Sequence, residues 1–434
     1  MILIKLHTIQ IALIHMIKTV KHPSPLFMQT IQFNTIKWIR IALINFFIVA
    51  LAGVVLRYKI NFPLPLINQK YLLHGHSHFA FAGWVSLALM ALMVNYLIKS
   101  GQTTNCKKYH WILMANTVTA YGMLITFIFQ GYAALSIAFS TLSIFVSYFF
   151  IFYCWKDLKC IKEGQHITIW FKSALILLGV SSIGPFALAY LMSSHIVVQD
   201  LYFSAIYFFL HFQYNGWFIF ACLGLLFSVL KGKYQLNLSK ISKNLFYTLA
   251  LTVVPTYLLS ILGLKVPSYL FWIAAISAVL QLGVLFYNYR LLQVIHNSPD
   301  IRLNKMTNYL WALAYASFCL KIILQSLSII PYFSDFAFSL RPVIIGYLHL
   351  CFLGVISFFI LGVFVEILAK GGMELSKSGL FIFILGVLLQ EGMLMLQAFD
   401  AIIFQTPFNT NIILFLSAIV MATGLARIFL KNNF

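Results

Sequence analysis

Acidic residues are scarce in this chain, with 9 Asp and Glu against 29 Lys and Arg in 434 residues. Charged residues of either sign make up 9% of the sequence, and 62% is apolar. So small a polar complement does not clothe a water-soluble domain of this length. Cysteine is sparse too. Positions 106, 154, 160, 222, 319 and 351 are scattered and form no CxxC pair, so they read as small apolar residues and not as disulfides or iron–sulfur ligands. Long polar segments are also missing, which leaves no extramembrane domain to carry function. The basic excess does not gather into one stripe, as it does in nucleic-acid binders, so no nucleic-acid partner is expected.

What the chain has is apolar runs of about 18–25 residues, long enough to cross a bilayer. Twelve are expected, at roughly 36–58, 72–98, 111–131, 133–155, 170–192, 201–229, 245–263, 268–290, 309–330, 341–368, 379–399 and 410–430. The third and fourth meet at a Gly131-Tyr132 turn. Of the 29 basic residues, only Arg57, Lys59, Lys70, Lys265 and Arg341 lie at loops on one side, while Lys321 falls within a span. The remainder lie on the opposite side, with both termini. This asymmetry predicts cytoplasmic termini and an even helix count, as in a bacterial inner-membrane protein. The fold class expected is an all-α integral membrane protein, with the lipid bilayer as its first partner. Residues 36–430 form a single twelve-helix domain. Residues 1–35 are an N-terminal extension without a signal-peptide cleavage pattern, either a mis-called start ahead of Met28 or a surface-lying amphipathic segment.

One pattern recurs on the second, sixth and tenth runs: a histidine, then glycine five residues later, then apolar sequence. The copies are His78-FAFA-Gly83, His211-FQYN-Gly216 and His349-LCFL-Gly354, spaced 133 and 138 residues apart. This predicts three quasi-equivalent four-helix units. Each histidine sits about 9–15 Å into the membrane at about 1.5 Å per residue. Polar groups at that depth are costly and usually functional, which favours a haem or metal site. The bland alternative is that each imidazole hydrogen-bonds a neighbouring helix. Each glycine makes room for a flat macrocycle or an adjacent helix. The second run opens with His74-Gly-His76-Ser-His78, where His74 and His78 share a helix face and His76 points elsewhere. Three imidazoles so close suit copper or zinc. The plainer reading makes His74 interfacial and His76 a hydrogen-bonder.

Twelve helices in three fours, with histidines on helices two, six and ten, resemble subunit I of the haem–copper oxidase superfamily, which includes cytochrome c oxidases and nitric oxide reductases. The stretches HSHFAFAGWVSLALM and YLHLCFLGVISFFILG look like divergent members of it. The resemblance implies a low-spin haem, b-type, held between His78 and His349. It also implies a metal beside a second haem at His211, with His76 a further metal candidate. Arg341 and Arg57 become the partners of haem propionates. A partner respiratory subunit and a cytochrome c or quinol electron donor follow from the same resemblance. The sequence departs from the family at three points. Tyr347 stands where a second helix-ten histidine belongs, the seventh helix has no histidine, and Asn215 replaces a tyrosine or glutamate. Those departures leave the copper and high-spin-haem site incomplete. The function expected is therefore respiratory-type electron transfer. A non-enzymatic haem- or copper-binding sensor or assembly factor, and a polytopic transporter, stand as alternatives. Within the spans, Lys321 and Glu391 lie at matched depth and are expected to form a buried charge pair or a proton path.

Overall fold

The computed structural model describes residues 33–101, 106–234, 238–264, 267–298, 303–400 and 409–430. Almost all of the N-terminal extension lies outside them. Every regular element among the described residues is helical. Among the described residues eleven helices are long and apolar enough to cross a membrane, and a bent pair makes a twelfth if it is one span. We number them α1 Thr35–Asn61, α2 Gln69–Lys99, α3 Lys107–Gln130, α4 Ala134–Lys159, α5 Gln165–Ser193 and α6 Gln199–Gly232. The bent pair, Ser239–Val253 with Pro255–Ile261, is α7. Then come α8 Ser268–His296, α9 Lys305–Leu327, α10 Arg341–Lys370, α11 Lys377–Asp400 and α12 Thr410–Phe429. The architecture is that of a multi-pass membrane protein. Large apolar side chains such as Trp111, Phe129 and Phe152 point outward from the bundle, where lipid tails solvate them.

Local signals set the helix ends. Asn34, Asn68 and Asn304 cap α1, α2 and α9 through side-chain oxygens that accept backbone N–H groups. Gly131 joins α3 to α4 at a positive φ of 63°. A Cβ there would also lie 2.4 Å from the Tyr71 ring, so glycine is needed twice over. The seventh span departs from a plain helix. Pro255 has no N–H to give, and the chain tightens to a 3₁₀ turn over Pro255–Ile261 at a 49° bend.

The helices are not equally placed. Burial within the bundle covers 72% of the core window in α2, 72% in α6 and 89% in α10, against 11–44% in the other straight spans. The three helices that carry the repeat histidines are thus the centre, and the rest form a surrounding layer. Within that layer α12 packs on both α11 and α1, so the first and last spans meet. The α11–α12 contact is tight because Gly379, Gly386 and Gly424 remove side chains from it. A Cβ on Gly424 would meet the Phe383 backbone nitrogen at 2.4 Å.

All three central helices change their winding just past the histidine. The π-helical stretches are Ala80–Ser86, Phe212–Phe218 and Leu350–Ser357. Such segments are rare and concentrate at functional sites. Wide turns misalign backbone carbonyls, which need partners in a membrane interior. In α2, Asn116 donates to Ala82 O at 3.0 Å and Asn45 donates to Gly83 O at 2.7 Å. The Tyr121 hydroxyl in turn donates to the Asn45 oxygen at 2.8 Å. Two indoles tie the stretches together. Trp84 Nε1 donates to Ser357 Oγ at 3.0 Å, and Trp217 Nε1 donates to Ser86 Oγ at 3.2 Å. The matching positions at the third junction are Val355 and Ile219, where indole and hydroxyl are both missing.

Candidate functional site

The three histidines of the repeat do not converge. His211 on α6 is fully buried, and both of its ring nitrogens are used. Its Nε2–H donates to Val253 O at 2.7 Å, which fixes the tautomer, and its Nδ1 accepts from Asn215 Nδ2 at 3.1 Å. The Val253 carbonyl is free to accept because of the α7 break. Tyr257 N, its ordinary helical donor, bonds Val254 O instead. As placed here, the histidine expected as a metal ligand takes up a backbone acceptor that the 3₁₀ turn leaves open, and both of its ring nitrogens are engaged in the fold. Among the described residues no group of three His, Cys, Asp or Glu is arranged to hold a metal ion.

His78 is placed differently from expectation as well. Its ring stacks on Phe127 of α3 at 4.5 Å between centroids, and Nε2 lies 3.1 Å from the Tyr132 hydroxyl. Residues two apart on a helix project roughly 200° apart, so His76 takes the opposite direction. It faces α1, where Nδ1–H donates to Val49 O at 3.1 Å and Gly53 leaves space beside the ring. A neutral imidazole whose Nδ1 donates keeps a lone pair on Nε2, the form a metal requires. His76 also lies within electrostatic reach of His349, as does Arg57. Of the His76–His78 pair, His76 is thus the one with an electrostatic influence on His349.

His349 opens onto α11. Its Nδ1 is 4.0 Å from Glu391 Oε1, too long for a hydrogen bond. Both atoms are buried and without a hydrogen-bond partner. Their side chains as a whole keep 28% and 20% accessibility. Arg57 is within electrostatic reach of Arg341 and Glu391. The Gln390 amide satisfies its neighbours when its nitrogen faces Ser417 and Leu414, and its oxygen then accepts from Arg57 Nη2 at 3.1 Å. One end of the α1–α2–α10–α11 quadrant thus gathers two imidazoles, a carboxylate and two guanidinium groups.

Lys321 and Glu391 do not pair. The Lys321 ammonium, buried in α9, donates to Gln325 Oε1 at 2.7 Å one turn along its own helix. Among the described residues no ion pair joins the two. Tyr347 faces the same amide from α10, its hydroxyl 3.4 Å from Gln325 Oε1. A largely buried ion pair forms elsewhere, where Lys108 reaches Asp157 at 2.8 Å and Tyr109 donates to the same carboxylate at 2.7 Å. The repeat glycines serve packing of side chains. A Cβ on Gly216 would meet Leu177 of α5 at 2.8 Å, and one on Gly354 would meet Ser317 of α9 at 2.7 Å.

Comparison of the chain with protein-family models and with curated proteins gives no match.

Sequence reasoning names His76 only as a further metal candidate, because the repeat pattern selects His78. The available signal was the two-residue offset, which turns one of the pair away from the bundle centre. The π segments and the indole–hydroxyl bonds carry no signal in a single sequence.

Proposed function

We propose that this chain is a haem-binding membrane redox protein, with His76 and His349 as the axial imidazoles of one low-spin b-type haem. The observation that carries this reading is the pair of buried, partnerless atoms at His349 Nδ1 and Glu391 Oε1, with His76 and Arg57 in electrostatic reach of the His349 ring. The residues fit such a group. Two neutral imidazoles on facing helices supply the donor set of a six-coordinate iron, which when bound supplies one-electron transfer. His76 is held in its ligating tautomer by Val49 O. Glu391 is the natural acceptor for the second ring's Nδ1–H, since ligating imidazoles usually donate their other nitrogen to a carboxylate or carbonyl. Arg57 and Arg341 are suited to anionic propionates.

We further read the chain as three four-helix units around α2, α6 and α10. The repeated π segments and the Trp84–Ser357 and Trp217–Ser86 bonds support that arrangement. The basic loop asymmetry supports cytoplasmic termini. The occupied nitrogens of His211 favour electron transfer or sensing over reduction of oxygen or nitric oxide. Pyridine-extractable haem in the purified protein, with a reduced-minus-oxidised spectrum of low-spin type, is the expected result. Protein purified from haem-replete cells without haem would overturn the reading and leave a transporter in its place.

A further inference from the structure

A second imidazole cluster lies on the opposite face of α2 and takes no part in the reading above. His74 and His78 are four residues apart and share that face. Both rings pack on Tyr132, with centroids at 4.7 and 6.1 Å. His78 Nε2 is 3.1 Å from the Tyr132 hydroxyl. His74 Nε2 is buried with no hydrogen-bond partner. Phe127 covers the cluster, stacked on His78. Tyr132 is held here by the α3–α4 turn, where Gly131 adopts a positive φ and fits closely over Tyr71.

We propose that His74, His78 and the Tyr132 oxygen form a binding site for a divalent transition-metal ion, with Cu²⁺ preferred. Two donors each about 2.0–2.1 Å from an ion, at an angle near 100°, stand about 3.1 Å apart. The His78–Tyr132 separation already has this value. The stranded His74 nitrogen supplies the third donor. Two imidazoles and a phenol oxygen suit copper above zinc, both by donor type and by the general affinity order. Binding forms a copper–oxygen bond to Tyr132 and releases its hydroxyl proton to solvent. The phenolate offsets one of the two metal charges, and this lessens the repulsion from Lys70, one turn before His74. The site lies near the end of α2 and Tyr132 is 44% exposed, so an ion can arrive from the membrane surface.

The test is titration of the purified full-length protein, in detergent, with cupric ion. One equivalent should bind and give a visible phenolate-to-copper charge-transfer band. Tyr132→Phe keeps the ring packing and should abolish the band. His74→Ala and His78→Ala should each weaken binding at least about tenfold, since loss of a direct ligand costs no less than loss of its supporting partner. His76→Ala should bind copper as the unaltered protein does, which separates this site from the haem reading. No stoichiometric copper, or a band and affinity unchanged in Tyr132→Phe and His74→Ala, would overturn the proposal.

Discussion

Replacing His211 with alanine strands two groups that the fold otherwise satisfies. The Val253 carbonyl loses its 2.7 Å donor, and Asn215 Nδ2 loses the His211 Nδ1 acceptor at 3.1 Å. Thr256 Oγ1 still donates to Val253 O at 3.3 Å, so the loss there sits at the lower end. Each stranded buried group costs about 1–3 kcal/mol, giving about 2–4 kcal/mol in total. With an unfolding entropy near 2.1 cal/mol/K per residue, about 400 helical residues convert 1 kcal/mol into roughly 1 °C. Thermal unfolding in detergent should therefore fall by about 2–4 °C, with haem and metal content unchanged. Pro255→Ala provides the internal check. A straightened α7 returns the Tyr257 N–H to Val253 O, so His211→Ala should cost less in that background. A coupling of about 1 kcal/mol is expected from the double-mutant cycle. A His211 variant that melts with the unaltered protein, or that loses a stoichiometric metal, refutes this account.

Lys321→Met and Glu391→Gln should be additive in thermal stability to within about 0.5 kcal/mol, because the two residues have different partners; a larger coupling in a double-mutant cycle would show contact between them. Trp84→Phe and Trp217→Phe each delete one buried indole bond and should cost about 1 kcal/mol by the same assay. Gly424→Ala pushes a methyl group into the α11 backbone and should destabilise by about 1–3 kcal/mol, whereas Gly392→Ala, with nothing near its Cβ, should be neutral.

Hydropathy made the spans legible, because the bilayer imposes length and apolarity on each helix independently of its neighbours. The Gly131-Tyr132 turn and the seventh run at 245–263 were also readable. The bend in that run was not anticipated, though Pro255 lies in plain sight within it. Histidine periodicity correctly singled out α2, α6 and α10, which prove to be the buried centre. It did not show which way each ring turns. His78 follows the repeat but leans on Phe127 and Tyr132, while His76 breaks the repeat and turns to α1, where it bonds Val49 O. Matched depth paired Lys321 with Glu391. Depth along a helix says nothing of rotation about it, and Lys321 finds Gln325 on its own helix. The stranded atoms of His349 and Glu391 belong to tertiary structure alone.

The most direct test of the His76–His349 assignment is the low-spin haem spectrum of two alanine variants of adjacent imidazoles, His76→Ala and His78→Ala. Each is purified under identical conditions, and haem content is measured by pyridine extraction. The account predicts that His76→Ala loses the sharp low-spin bands and most of its haem, while His78→Ala keeps both. The reverse pattern, with the bands lost in His78→Ala and retained in His76→Ala, would contradict it.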